Sequence, residues 1–318
     1  MQNIRLDGKI TLLTPLSHIG ESVGPDSFLS EDVILTPDGT LVECFTYSGN
    51  AFRGILRDLA ALHFTKKLGL IYDLSSFYLL FSGGALENGH DLDLDLAIKL
   101  REFCPVVSLF GGAFKSHILR GKLKVGPMYP IVRETVRVVP SFLRTDVEFS
   151  WKQLTYDKAY TRTDDLKNVN LSRFVKRGSI SSREGEDPQQ MRYVVELLVP
   201  GTTLYQRIDL EDLTEIELGV FVTALTEFAQ APYIGGKSSI GCGLVDMEYY
   251  YRLPGKPEPE GVFFAIKESV LSMSDIAQEV KEKYHAFLEE IEKKYLSSEE
   301  VNEFKQCLGV IGRAVSKN

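Results

Sequence analysis

The spacing of apolar residues along the chain predicts strands and helices in mixed order. Residues 4–13 alternate between apolar and polar with a period of two, and residues 33–45 have the pattern of a hairpin around a Pro-Asp-Gly turn. Residues 50–68 carry an apolar stripe at helical spacing directly after Ser48, a residue type that caps helix starts. No regular strand-helix-strand repeat follows, so the pattern favours an α+β fold.

The second half of the chain has the same mixed character. Residues 193–199 predict a buried strand, residues 210–230 a helix with acidic first turns, and residues 244–251 another strand. A strand, a helix, a loop and a strand make half of a split ferredoxin-like unit. Further predictions are a strand at 72–81, a short helix at 91–103, and two charged helices at 265–296 and 298–315.

This pattern divides the chain into four regions. The first part of a core spans 1–139, an insertion spans 140–192, the second part of the core spans 193–253, and a C-terminal helical extension spans 262–318. The insertion mixes Lys and Arg with Tyr and Phe, which suits a nucleic acid, because phosphates attract cations and bases stack on rings. A solvated loop is the alternative. The residues of the insertion that we nominate for nucleic-acid binding are Arg162, Lys167, Arg173, Lys176 and Arg177.

The composition is that of an ordinary globular protein. The chain has 318 residues, 44% of them hydrophobic, which is enough for one large domain or two modest ones. It has no apolar run near the ~20 residues that cross a bilayer and no signal-peptide core, so we expect a cytoplasmic protein without a membrane partner. The four cysteines stand singly and predict neither a zinc site nor a disulfide framework, and we expect no cofactor.

Charge is distributed unevenly along the chain. The net charge is -8, yet residues 113–144 hold seven basic side chains and one acidic side chain. A local cluster of this kind suits a polyanion, because phosphates respond to the field within a Debye length and not to the total charge. A solvated pair of basic strands is the alternative. The nominated residues are Lys115, Arg120, Lys122 and Lys124.

A glycine-rich segment at 233–243 lies between the predicted helix at 210–230 and the predicted strand at 244–251. Its four glycines allow backbone N–H groups to approach an anion, and Lys237 supplies charge beside them. The segment ends like a nucleotide-binding P-loop, but Ala231 stands where that motif needs glycine, and the helix precedes the loop instead of following it. Two interpretations of this loop therefore remain: it binds a phosphate other than that of a nucleotide triphosphate, or it is a plain glycine-rich turn.

Three short motifs occur in order along the chain: His18-Ile-Gly20, Tyr47-Ser-Gly-Asn-Ala-Phe-Arg-Gly54, and the segment from Ile234 to Gly243. Together they resemble the CRISPR-associated RAMP superfamily. Within it the chain is most similar to the Cas-seven-type backbone subunits of type IV complexes and, next, of type III complexes. The resemblance implies a ferredoxin-like (RRM-like) core, a thumb-like insertion at 140–192 that enters between guide bases, and C-terminal helices.

The resemblance also implies a function in antiviral defence. Such a subunit binds CRISPR guide RNA, polymerises along it with copies of itself as a helical filament, and presents it for pairing with a target nucleic acid in a ribonucleoprotein with other effector subunits. Two groups of guide-RNA contacts follow by motif. They are His18, Ser48, Gly49, Asn50, Arg53 and Arg57 for the first two motifs, and Gly235, Gly236, Lys237, Ser238 and Ser239 for the glycine loop.

Catalysis is a separate question, because type III relatives cut target RNA with an aspartate in the loop after the first motif. Here Ser30 stands at that position, with Asp26, Glu31 and Asp32 nearby. We therefore expect a non-cleaving scaffold without catalytic or metal-binding residues. The alternatives are a metal-dependent target-RNA endoribonuclease that uses a carboxylate of the 22–33 loop, and a small-molecule phosphate-binding enzyme that depends on the glycine loop.

Overall fold

The structure of the protein is a computed structural model that describes residues 2–86, 94–114, 117–144, 149–162, 191–253, 255–256, 258–268, 270–297 and 300–313. The strands are β1 (Gln2–Leu12), β2 (Ile19–Val23), β3 (Asp26–Leu29), β4 (Glu31–Leu35), β5 (Leu41–Phe45), β6 (Leu70–Tyr72), β7 (Gly112–Phe114), β8 (His117–Leu119), β9 (Leu123–Pro130), β10 (Thr155–Arg162), β11 (Met191–Leu198), β12 (Thr203–Leu213), β13 (Val245–Arg252), β14 (Gly261–Lys267), β15 (Val270–Met273) and β16 (Val310–Arg313). The helices are α1 (Gly49–Leu68), α2 (Leu74–Ser82), α3 (Leu94–Phe103), α4 (Pro105–Phe110), α5 (Glu215–Phe228), α6 (Asp275–Ile291) and α7 (Glu303–Cys307).

A six-stranded antiparallel sheet forms the centre of the molecule, in the order β15-β14-β13-β1-β12-β9. Along β1, Leu6 and Ile10 are fully buried in one core cluster with Phe52 of α1 and Phe221 of α5. The two helices also contact each other directly, since the rings of Phe52 and Phe228 meet edge to face with centroids 5.5 Å apart. One face of the sheet is therefore covered by α1 and α5, and the predicted α+β class is confirmed.

A second sheet, in the order β10-β11-β3-β2, joins the predicted insertion to the loop after the first motif. Strands β10 and β11 are antiparallel neighbours, and β11 runs parallel to β3 through Val194 and Val195. The segment between β10 and β11 lies outside the described residues, and its role as a thumb stays a prediction. The four-region division of the chain likewise stays a prediction.

Residues 72–81 form a helix and not the predicted strand. The strand β6 ends at Tyr72, and α2 follows behind Asp73, whose side chain accepts a hydrogen bond from the Ser76 N–H at 2.8 Å. A nearly continuous apolar run has no period that separates strand from helix, whereas this Asp cap favours the helix.

The C-terminal region differs from the two predicted helices. Residues 261–273 form β14 and β15, which extend the central sheet, so α6 begins only at Asp275 behind the cap Ser274. Beyond it, α7 is short and β16 pairs with β6. No helix in the described part of the chain is long and apolar enough to cross a membrane.

Candidate nucleic-acid interface

The glycine loop at 233–243 is bound to the segment just before the first motif. The Gly236 N–H donates to the Ser17 carbonyl at 2.7 Å, and the Gly243 N–H donates to the Pro15 carbonyl at 2.8 Å. Gly235 has a φ of +77°, and a Cβ at this position would lie 2.3 Å from the Ser17 oxygen. The close approach of these two segments therefore requires glycine here.

Tyr47, from the start of the second motif, connects all three motifs. Its ring centroid lies 4.4 Å from that of His18, and its hydroxyl accepts a hydrogen bond from the Gly235 N–H at 3.3 Å. The side chain is only 1% exposed, and burial raises the pKa of its phenol. Three motifs that are far apart in sequence thus form one continuous site.

His18 contacts the start of α1. Its Nε2 accepts a hydrogen bond from the Ser48 N–H at 3.1 Å, and burial lowers its pKa. Ser48 is the N-cap residue as predicted, but its hydroxyl makes no capping hydrogen bond, and the first turn of α1 contains no acidic residue. The positive end of this 20-residue helix therefore lies at the site without a carboxylate in its own first turn.

Gly49 packs against the central sheet, since a Cβ at this position would lie 2.3 Å from the Val125 carbonyl oxygen. The helix start is thereby held against β9. Asn50, one residue further on, is exposed.

The tip of the glycine loop presents polar groups to solvent. Gly236, Ser238 and Ser239 are exposed, and residues 238–240 form a single 3-10 turn. Lys237 precedes this turn in the left-handed region with a φ of +61°. A non-glycine residue in that region is uncommon and is a reason to examine the site for function.

Lys237 lies over two tyrosines that the sequence analysis did not nominate. Its Nζ is 5.0 Å from the ring centroid of Tyr193 and 5.4 Å from that of Tyr160. The two rings are stacked, with centroids 5.4 Å apart and an angle of 16° between their planes. Tyr160 of β10 and Tyr193 of β11 are directly opposite each other, so the register in which these two strands pair brings the rings together.

The nominated cations around β9 are paired with carboxylates. Lys122 Nζ lies 2.8 Å from Glu217 of α5, while Lys124 and Arg120 both contact Glu211 of β12. These two carboxylates offset two of the three positive charges of Arg120, Lys122 and Lys124. Lys122 is three residues from Val125, whose carbonyl contacts Gly49, so it lies about 10 Å along β9 from the start of α1.

Arg53 and Arg57 of α1 point to the end of α4. Both donate to the Phe110 carbonyl, and Arg57 also donates to the Gly111 carbonyl at 2.7 Å. Arg57 is buried, and burial followed by repulsion from Arg53 lowers its pKa to about 10. The contacts of these guanidinium groups satisfy the last carbonyls of a helix, where positive charge is stabilising.

Several nominated residues are not placed by the structure. Lys115, Lys167, Arg173, Lys176 and Arg177 lie outside the described residues. Arg162 ends β10, and its backbone pairs with Met191.

The loop at 22–33, a candidate for catalysis, is held mainly through backbone contacts. The Ser30 N–H donates to the His18 carbonyl at 2.8 Å, and the Ser30 carbonyl accepts from the Thr46 N–H at 2.9 Å. Asp26 begins β3 of the second sheet, and Asp32 lies in β4 of the separate two-stranded sheet β4-β5. Across the residues with described positions, no group of three His, Cys, Asp or Glu could hold a metal ion.

Comparison with known proteins identifies the fold. No protein-family model matches the sequence, and no curated protein matches it. Among solved structures, a chain of a type IV-B CRISPR complex matches with a TM-score of 0.56 and 24% identity, over 77% of this chain and 90% of that chain. The protein shares its fold with that chain of the type IV-B CRISPR complex.

Two further structures are similar to this CRISPR-complex fold at lower scores. Csc2 of Thermofilum pendens has a TM-score of 0.39 and 16% identity, over 91% of this chain and 77% of that chain. A chain of the type III-B Cmr-beta complex bound to cognate target RNA has a TM-score of 0.43 and 14% identity, and the match covers 79% of this chain and 61% of that chain. The fold assignment depends on the type IV-B match alone, and it confirms the predicted resemblance at the level of fold.

Proposed function

We propose that the protein is a guide-RNA-binding backbone subunit of a CRISPR effector ribonucleoprotein, similar to those of type IV complexes. The observation that carries the proposal is the convergence of three motifs at one site. There the N terminus of α1, the exposed Ser238 and Ser239 at the tip of the glycine loop and the ammonium of Lys237 lie together. A helix N terminus, hydroxyl groups and a cation in this arrangement suit the phosphates of an RNA strand, whatever its sequence.

The core belongs to the ferredoxin-like (RRM-like) type in this proposal. In chain order its elements are β1, α1, β9, β12, α5 and β13, and in space the four strands lie in the order β13-β1-β12-β9. Two helices on one face of a four-stranded antiparallel sheet with this connectivity support the assignment.

Assembly with further copies of the chain is the second part of the proposal. The hairpin of β4 and β5 exposes Val33 at 64%, Leu35 at 46% and Leu41 at 67% on its outward face, with Glu43 beside them. Exposed apolar clusters with a polar rim are typical of interaction surfaces.

A second exposed apolar surface is complementary in charge to the β4-β5 hairpin. Leu74 and Phe77 of α2 are 68% and 43% exposed, and the exposed Lys66 and Lys67 precede them at the end of α1. An acidic apolar hairpin and a basic apolar helix on the same chain fit a head-to-tail contact between copies, which generates a filament when it does not close.

In this proposal the subunit does not cleave RNA, and target choice belongs to the guide and to the other effector subunits. Support comes from Ser30, whose backbone links the first two motifs at the position of the type III aspartate. The metal-dependent nuclease remains the alternative. It predicts cleavage of a matched RNA at regular spacing, and loss of cleavage in Asp26→Ala or Asp32→Ala.

The deciding experiment is purification of the full chain after co-expression with a CRISPR array, followed by sizing and RNA extraction. We expect particles larger than one chain that contain guide RNA, and Leu41→Asp should shift them toward smaller species. A monomer free of RNA at low salt contradicts the proposal. The salt dependence of binding to a purified guide then gives the number of phosphates contacted, because each neutralised phosphate releases counterions.

A further inference from the structure

We infer that Tyr160 and Tyr193, together with Lys237, form a stacking site for one base of a single-stranded RNA. The inference rests on the proposed RNA-binding function and adds to it a site for a base beside the site for phosphates. It assigns a direct role to two tyrosines that belong to none of the three motifs.

The first argument is the ring geometry. The two phenol rings are nearly parallel and both side chains are half-buried, so part of each ring is accessible. A nucleobase is a flat aromatic of similar thickness and would extend this stack by one layer. Stacking of this kind is the usual way in which proteins hold single-stranded bases without reading their identity.

The second argument is the state of the nearby lysines. Lys237 lies almost equally far from both rings, and Lys158 Nζ lies 5.4 Å from the Tyr160 centroid. Among the residues with described positions, neither ammonium has a carboxylate partner, unlike Lys122 and Lys124. Two cations over aromatic faces, without a carboxylate partner among the described residues, add charge attraction for a phosphate to the stacking surface.

The third argument is position. The Tyr160 hydroxyl lies beside the thiol of Cys242 in the glycine loop, so the tyrosine pair borders the loop that the three motifs share. Lys237 itself belongs to that loop and holds a left-handed backbone conformation. A strand of RNA whose phosphates contact the glycine loop therefore passes within reach of both rings.

The test is equilibrium binding of the full chain to a fluorescein-labelled 20-nucleotide single-stranded RNA of mixed sequence. Removal of one stacked base contact typically weakens binding by about 5-fold to 150-fold. We expect this loss for Tyr193→Leu and for Tyr160→Leu, and near wild-type binding for Tyr193→Phe, which keeps the ring. The slope of log Kd against log salt should stay unchanged in the Leu variants, because they remove no charge.

A second probe separates stacking from folding defects. An oligonucleotide of the same length whose sugars carry no bases should bind the wild type and Tyr193→Leu equally, since it has phosphates but nothing to stack. Equal affinity of wild type and both Leu variants for the base-containing RNA would overturn the inference while leaving the proposed function in place. A uniform loss on both probes would also overturn it, because it would show a structural defect. Failure of the wild type to bind either probe would instead count against the proposed function.

Discussion

Nε2 of His18 accepts a hydrogen bond from the backbone N–H of Ser48 over 3.1 Å. This bond needs an unprotonated Nε2, and burial lowers the pKa of the ring, so both effects keep His18 neutral at pH 7. The histidine therefore joins the first motif to the start of α1 as an acceptor, and not as a cation for phosphate.

We predict that His18 titrates below its ordinary value of 6.5 and that His18→Gln leaves the salt slope of RNA binding unchanged. NMR titration of the ring and binding measured at several salt concentrations check the two parts. His18→Ala leaves a partly buried N–H without its partner and should lower the free energy of unfolding by about 1–3 kcal/mol. A midpoint above 6.5, or a shallower slope in His18→Gln, would show that the ring binds as a cation.

Lys122 is expected to stabilise the fold more than it contributes to RNA binding. Its partner Glu217 is almost fully buried, and although burial raises the pKa of this carboxyl, the bonds from Lys122 and Ser108 bring it below its ordinary value. Lys122→Met should lower the free energy of unfolding by about 3 kcal/mol, the low end for a buried pair, because Lys122 is partly exposed. Urea unfolding measures the change.

Lys124→Met is the matched control, since it removes the same charge from an exposed pair and should cost at most about 1 kcal/mol. The folded-state pKa of Glu217 is lowered, so its contribution is present above pH ~4.5 and is lost as the pH falls through the folded value. That loss should become smaller in Lys122→Met, in which the bond from Ser108 to Glu217 remains. Equal stability of the two lysine variants would contradict the structural role.

Two glycines of the loop offer a test of close packing. Gly243 and Gly241 both have positive φ, at +88° and +85°, but a Cβ on Gly243 would lie 1.9 Å from the Ile234 oxygen, whereas one on Gly241 meets nothing within 4 Å. Gly241→Ala should cost only the backbone strain of about 1 kcal/mol, and Gly243→Ala clearly more. Thermal unfolding of both variants measures the difference, and similar melting temperatures would show that the loop is loosely attached.

A pair of histidines should make the fold sensitive to acid. His63 of α1 and His285 of α6 are stacked with centroids 5.4 Å apart, and each has one buried ring nitrogen without a hydrogen-bond partner. Burial, followed by repulsion from His285, lowers the pKa of His63 to about 4, and burial likewise lowers that of His285. Lys67 and Lys281 add repulsion, while Glu227 and Glu289 partly oppose it at His285.

The sign of the pH effect follows from these lowered values. The unfolded chain binds protons below pH 6.5 more readily than the folded one, so stability is full above about 6.5 and falls as the pH drops toward 4. Urea midpoints between pH 7.5 and 4.5 should decrease in the wild type and decrease less in His63→Phe, which keeps the ring but cannot be protonated. The same decline in both proteins would exclude this pair as the cause.

The sequence predicted the elements that have a clear period. The first strand, the helix that became α1, and the strand at 193–199 are all present close to their predicted bounds. The three motifs also proved to be neighbours in space. The periodic elements and the short motifs are patterns of neighbouring residues, which a single sequence shows directly.

Long-range pairing explains most of what the sequence did not predict. The charge of Lys122 and Lys124 was visible, but their carboxylate partners on β12 and α5 are distant in sequence. Tyr160 and Tyr193 meet only through the register of β10 and β11. The mixture of basic residues and tyrosines in the insertion was visible, but a cross-strand register that follows a long connection cannot be derived from the residues of one strand alone, so the pairing of these two rings was not predicted.

The position of β1 determines when the protein can fold during synthesis. Its residue Leu6 pairs with Ile208 on one side and with Tyr251 on the other, so the first strand made is completed by two of the last strands of the core. Until β12 has left the ribosome, neither edge of β1 has a partner in the central sheet, and one edge stays unpaired until β13 has followed. Such high contact order slows folding and leaves an aggregation-prone nascent chain. Productive RNA binding at the motif site must therefore wait until nearly the whole core has emerged.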